Sequence, residues 1–180
     1  VTFAWRGQAT AVNLRHWVYG LPSSQAFRRL GPTDLWVLTL ELPDKSRVEY
    51  KLEIVSGRNA QWIQDPLNPK HARDPFGANS VCQTRGYDVP EWSNPDPDVP
   101  AGRLEEVLLG SAAYGRNVQL TMYLPPRFRP ARSYPLLVVH DGPDYLNYSI
   151  LKAVLDNLID RKEIPALVAA CEIDHTVKPS

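Results

Sequence analysis

Val48, Tyr50, Leu52 and Ile54 alternate with Glu49, Lys51 and Glu53, the period-two pattern of a strand with one buried face and one wet face. The same alternation recurs where Val118, Leu120, Met122 and Leu124 are set between Gln119, Thr121 and Tyr123. Two runs depart from it. Leu136–Val139 and Leu167–Ile173 are short and mostly apolar, which predicts strands buried on both faces. Between them Ile150, Val154 and Leu158 form one four-residue row, and Leu151, Leu155 and Ile159 form its neighbour. That is the stripe of an amphipathic helix. Ser149 or Asn147 is placed to cap its start, Arg161 and Lys162 suit its C-terminal end, and Pro165 prevents its continuation.

Earlier in the chain the pattern predicts strands at Thr2–Trp5, Ala11–Leu14, Leu35–Leu42, Ala60–Ile63 and Ser80–Thr84. Leu42-Pro43-Asp44-Lys45-Ser46 reads as a hairpin-like connection into the Val48–Ile54 strand. Short strands punctuated by Pro and Gly, with no helical period, predict an all-β sandwich over residues 1–86. Residues 87–102 change character: Pro90, Pro95, Pro97 and Pro100 sit among acidic residues, a semi-rigid linker by composition. Residues 103–180 then read β-β-β-α-β, the opening of an α/β sheet. The loop after Leu136–Val139, beginning His140-Asp141-Gly142-Pro143, is where such sheets place chemistry.

Composition narrows the function classes. Lys plus Arg and Asp plus Glu each number 20, so nothing in the total charge points to nucleic acid. Residues 1–86 hold 11 basic against 7 acidic side chains and residues 87–180 hold 9 against 13, a mild asymmetry that a solvated face explains. Cys82 and Cys171 are the two cysteines; they have no metal-type spacing and read as small buried hydrophobes. His16, His71 and His175 are isolated, so no metal site is expected. No apolar run approaches the ~18 residues of a membrane helix. No signal peptide is visible, and a cytoplasmic location is expected, although the sequence starts at Val1 without Met.

The ordered series V-T-F-A-W-R-G, V-E-Y-K-L, Q-D-P-L-N-P with N-S-V, Y-L-P-P-R-F, Y-P-L-L-V-V-H-D-G and L-D-N-L-I resembles the enterochelin esterases. These are α/β-hydrolases in a group that includes feruloyl-esterase-like enzymes. The resemblance runs from about residue 1 to Ile173. It implies an immunoglobulin-like N-terminal sandwich followed by a hydrolase domain, here incomplete. It also implies hydrolysis of a small-molecule carboxylic ester by a serine, an acid and a histidine, without a cofactor. The first part is similar as well to glycogen-binding modules, through its Tyr-Lys strand and the Gln61–Pro66 pattern, so a non-catalytic carbohydrate-binding module is the alternative reading.

The resemblance places the serine in a G-x-S-x-G elbow, with acid and histidine later in sequence. No G-x-S-x-G occurs in these 180 residues. The chain therefore reads as the N-terminal part of such an esterase, its triad expected beyond Ser180 and its own ester turnover absent. The polar Asp174–Ser180 tail adds no sheet element. The half-built sheet is expected to self-associate through an open edge.

Among residues present, Asp141, Gly142, Pro143 and Asp144 form the loop that the resemblance assigns to one arm of an oxyanion hole. The donor position after the H-D-G tag is Pro143, which has no N–H; either Asp144 supplies the donor or this arm is weak. His140 beside Asp141 does not read as a catalytic pair, because neighbours at a strand end point opposite ways. Trp62 and Trp17 read first as sandwich-core indoles, yet a flat ring also suits stacking on a sugar or a catecholate. Arg28 and Arg29, just before Gly31-Pro32, read as a solvated loop that is also suited to an anionic ligand.

Overall fold

The computed structural model describes residues 1–113 and 115–172. It divides into two compact units, Val1–Asp88 and Val89–Ser180.

The first unit is all strand: β1 (Thr2–Arg6), β2 (Ala11–His16), β3 (Ser24–Ala26), β4 (Arg28–Arg29), β5 (Leu35–Thr39), β6 (Arg47–Ser56), β7 (Asn59–Ile63), β8 (His71–Asp74) and β9 (Gly77–Gln83). One sheet has the order β1-β5-β4; the other has the order β3-β2-β6-β9-β8, with β7 also pairing β6. Phe3 and Trp5 of β1 and Trp36 of β5 share one core with Val12 and Leu14 of β2 and Tyr50 and Leu52 of β6. Alternation in each strand sends these side chains inward and leaves Asn13, Arg15, Lys51 and Glu53 on the far face of the larger sheet.

The Leu42–Ser46 segment is not a hairpin. It carries the chain from β5 to β6, which lie in different sheets; Pro43 and Asp44 turn the chain, but the partner strands are β1 and β4 for β5, and β2, β7 and β9 for β6. β3, β4 and β8 went unpredicted because they are two to four residues long, too short to show a period.

Two sequence tags meet inside this unit. Tyr50, almost fully buried, donates its hydroxyl to Asp65 Oδ2 at 2.7 Å. Asp65 Oδ1 accepts the Leu67 N–H, while Asn68 Nδ2 donates to the Tyr50 oxygen and to the Val81 carbonyl. Burial first, and then the Asp65 carboxylate, raises the Tyr50 phenol above its ordinary range. The Asp-Pro-Leu-Asn turn is thus a polar lock on β6 and β9.

The second unit contains β10 (Arg103–Ser111), β11 (Arg116–Leu124), β12 (Leu136–Val139), α1 (Gly142–Tyr148), α2 (Leu151–Asp160) and β13 (Val168–Glu172). Its sheet order is β10-β11-β13-β12. β11 meets both β10 and β13 antiparallel, and β12 and β13 run parallel in the register Val139↔Cys171. Tyr123, Val139, Leu155, Ala169 and Cys171 form the core, with Leu146, Leu151 and Ile159 packed against it. The row Leu151, Leu155, Ile159 is therefore the inward stripe. Ile150 is 37% exposed.

The expected single helix is two. Ile150 sits at φ 46°, ψ 37° and caps α2 without a side-chain hydrogen bond, while Ser149 closes α1 and Asn147 lies within α1. Neither residue caps the helix, because the chain reverses into left-handed backbone between them and α2. Of the Pro-rich stretch read as a linker, residues 89–102 fall in the second unit. A single 3₁₀ turn, Glu91–Ser93, is held there by Asn157 Nδ2, which donates to the Trp92 carbonyl at 2.8 Å and the Asn94 carbonyl at 2.7 Å. The buried Asp156 accepts the Gly102 N–H at 2.7 Å, the Tyr123 hydroxyl at 2.8 Å and Lys152 Nζ at 2.8 Å.

Candidate functional site

β12 and β13 end side by side, and a parallel pair offers chemistry at its C-terminal ends. β12 runs into His140 and Asp141, and α1 starts at Gly142. Asp141 adopts φ 54°, ψ 35°, a left-handed conformation that Asp tolerates better than most residues. Gly142 is buried against β13: a Cβ there would overlap Cys171 Cβ and lie 2.6 Å from its Cα. A side chain at 142 would push α1 off the sheet, so the glycine sets how closely the loop rides over the strand ends.

The residues expected as a loop are a loop only at Asp141: Gly142, Pro143 and Asp144 form the first turn of α1, and the N–H groups of this turn are unevenly available. Asp144 N–H donates to the Asp141 carbonyl at 2.9 Å, and Tyr145 N–H reaches the same oxygen at 3.3 Å. Pro143 has none. Gly142 keeps an N–H with no acceptor among the described residues.

His140 and Glu172 meet across the strand ends. Nδ1 of His140 lies 3.1 Å from Oε2 of Glu172, with the imidazole 81% exposed and the carboxylate side chain 26% exposed. The parallel register that pairs Val139 with Cys171 sets the next two residues side by side. Sequence reasoning missed Glu172; the only signal was that two apolar runs of matched direction end at these positions.

The other candidates lie in the first unit, on two different sheets. Trp62 of β7 is opposite Glu53 of β6 and stands on the polar outer face, not in the core. It is 44% exposed. Its Nε1–H donates to Glu53 Oε1 at 2.9 Å, and the Arg15 guanidinium lies 4.6 Å from its ring centroid. Asn13 Nδ2 donates to Glu53 Oε2 at 2.8 Å. The Trp62 N–H, then the Asn13 amide and the Arg15 charge, hold the Glu53 carboxyl below its usual range. Lys51 is paired with Arg15 on this face. Trp17 follows β2, is 65% exposed and lines a cleft of about 460 Å³ with Leu42, Arg47 and Glu49. Both tryptophans were placed in the core first, and both lie outside it. Register decides this: the core-facing positions of β2 and β6 are already filled by Leu14, Tyr50 and Leu52.

Arg28 and Arg29 form β4 on the smaller sheet. Arg29 Nε donates to the Thr33 carbonyl at 2.6 Å, and its guanidinium lies 5.8 Å from the Trp36 ring centroid. Among the described residues no group of three His, Cys, Asp or Glu side chains is arranged for a metal, and no helix is long and apolar enough to cross a membrane.

Residues 111–172 match the family described as "Putative esterase". No curated protein matches the chain. Solved structures do. An enterobactin esterase from Shigella flexneri, determined in the presence of enterobactin, is 22% identical with a TM-score of 0.64, over 97% of this chain and 53% of its own. A ferric enterobactin esterase from Salmonella typhimurium is 19% identical with a TM-score of 0.69, over 97% of this chain and 53% of its own. The chain spans about half the length of the solved structures it matches, and at this identity the likeness is one of fold.

Proposed function

We propose that this chain, which is enterochelin-esterase-like by its family match over residues 111–172 and by its fold, forms the N-terminal half of a serine esterase acting on small-molecule carboxylic esters, its substrate of the siderophore-ester or feruloyl-ester type. The first unit is then the immunoglobulin-like sandwich and the second the opening strands and helices of an α/β-hydrolase. The observation that carries the reading is the coverage: these residues align with one half of solved esterases, and no G-x-S-x-G stands among them.

The sheet order supports it. β12 pairs only with β13 among the described residues, leaving an edge with Leu136 63% and Val138 55% exposed. An apolar open edge of that kind calls for another strand, and the strand that delivers a nucleophile elbow would fit there. Asp141 and the first turn of α1 then form one arm of the anion cradle through the Gly142 N–H, since Pro143 has none and Asp144 N–H is already donated to Asp141. A single such donor is commonly worth ~3–4 kcal/mol in the transition state. Without the missing strand, the same edge and the exposed β10 residues Leu108 and Leu109 favour self-association.

The test is the coding DNA beyond the Ser180 codon, read in all three frames. A G-x-S-x-G following a further apolar strand is expected, and a polypeptide extended through it should hydrolyse carboxylic esters and lose that activity to a serine-directed phosphonate. An extended polypeptide that carries the motif and stays inert toward both ester and phosphonate would contradict the reading.

A second reading concerns the first unit alone. Trp62, half-exposed with Arg15 and Lys51 on the same sheet face, is suited to stacking on a sugar ring with polar groups at the rim. Affinity electrophoresis in glycogen tests it: retardation that disappears in Trp62→Ala supports a glycan site, and unchanged mobility removes it.

A further inference from the structure

We propose that His140, oriented by Glu172, is a nucleophile toward activated carboxylic esters, an activity separate from the serine chemistry proposed above and one that departs from the ester inactivity expected of these residues from sequence. A carboxylate only accepts hydrogen bonds, so at 3.1 Å from Glu172 Oε2 the His140 Nδ1 carries the hydrogen. The neutral ring then keeps its lone pair on Nε2. That tautomer is the one a carboxylate partner fixes in histidines that act as bases or metal ligands. Exposure divides the pair usefully: the imidazole is 81% open and accessible to a small ester, while Glu172 is 26% open, so its charge is less screened than that of a free surface carboxylate. His71, also exposed, has no carboxylate at ion-pair distance among the described residues and serves as the internal comparison.

The step balances without a co-reactant other than water. Nε2 forms a bond to the acyl carbon, the bond from that carbon to the aryl oxygen breaks, and the aryloxide leaves with the electron pair. The Nδ1 proton passes to Glu172, leaving a neutral acyl-imidazole. Water then adds: its hydroxyl stays on the acyl carbon, its proton returns to the ring as the carbon–nitrogen bond breaks, and Glu172 yields the first proton through solvent to the aryloxide. The ring becomes positive as attack begins, and the fixed carboxylate stabilises that charge.

The experiment uses the 180-residue chain, pretreated with a serine-directed phosphonate, and follows p-nitrophenolate release from p-nitrophenyl acetate. His140→Asn is expected to lower the rate by roughly ten-fold, short of the ~10²-fold of built acid–base sites. Glu172→Gln should lose a large part of the same rate, His71→Asn should leave it unchanged, and circular dichroism should be the same for all. A His140→Asn rate equal to the parent overturns the proposal, as does a Glu172→Gln rate equal to the parent, which would mean the imidazole acts alone. Turnover abolished by the phosphonate would count against both this proposal and a nucleophile lying outside these residues; phosphonate-resistant turnover that needs His140 supports this one alone.

Discussion

Single residues decide how the loop and the sheet faces are arranged. Gly142 touches Cys171 so closely that an added methyl has no space; Gly142→Ala should destabilise the second unit by about 1–3 kcal/mol, the cost of overpacking, read as a lowered urea midpoint. His16 acts through pH. Its side chain is buried, Nδ1 accepts the Val18 N–H at 3.1 Å, and Nε2 has no partner among the described residues. Burial lowers its pKa from the ordinary 6.5, so the fold favours the neutral ring. The unfolded chain therefore takes up a proton first as pH falls, and the stability present above the ordinary value is lost on moving down toward the folded one. The urea midpoint of the first unit should drop between about pH 7.5 and pH 5, and the His16 ring should titrate below the ordinary histidine range by NMR. A midpoint that rises on acidification would contradict this. At this scale the sequence was only partly legible. Alternation around Tyr50 located the core face, but Trp62 belongs to a strand too short to reveal which way it points until its pairing with Glu53 is known.

At the scale of elements, the strand with alternating polar and apolar positions was readable and its partner was not. The β6 pattern identified a strand, while the turn residues before it suggested a hairpin; Pro43 and Asp44 dictate a bend and carry no information about which sheet comes next. The helix stripe likewise located Leu151, Leu155 and Ile159 in the core, whereas the break at Ile150 left no mark, because a β-branched residue at φ 46° is unusual backbone. Ile150→Gly relieves that conformation and should stabilise the second unit by up to about 1 kcal/mol, read as a raised urea midpoint. Asn157 has the opposite role. It satisfies two carbonyls of the Glu91–Asn94 segment from within α2, and Asn157→Ala should cost roughly 1–3 kcal/mol and make residues 91–102 more readily cleaved by protease. Cleavage unchanged from the parent would show that the Pro-rich stretch is held by other contacts.

The whole molecule is two compact units, and the first has its own core of Phe3, Trp5, Trp36, Tyr50 and Leu52. Residues 1–88 expressed alone should therefore unfold cooperatively with a β-type spectrum; a non-cooperative melt would show that this core is insufficient by itself. Legibility was greatest here for the likeness to esterases and least for chemistry. Ordered tags such as H-D-G and Q-D-P-L-N-P pointed to the esterases, but several turned out to be structural, as with Asp65 and Asn68 closing over Tyr50. In the esterase reading proposed above, the nucleophilic serine lies outside these 180 residues. Intact mass spectrometry of the chain after incubation with a serine-directed phosphonate decides this: an unmodified mass is expected, and a stoichiometric adduct mapped to a serine of this chain would overturn it.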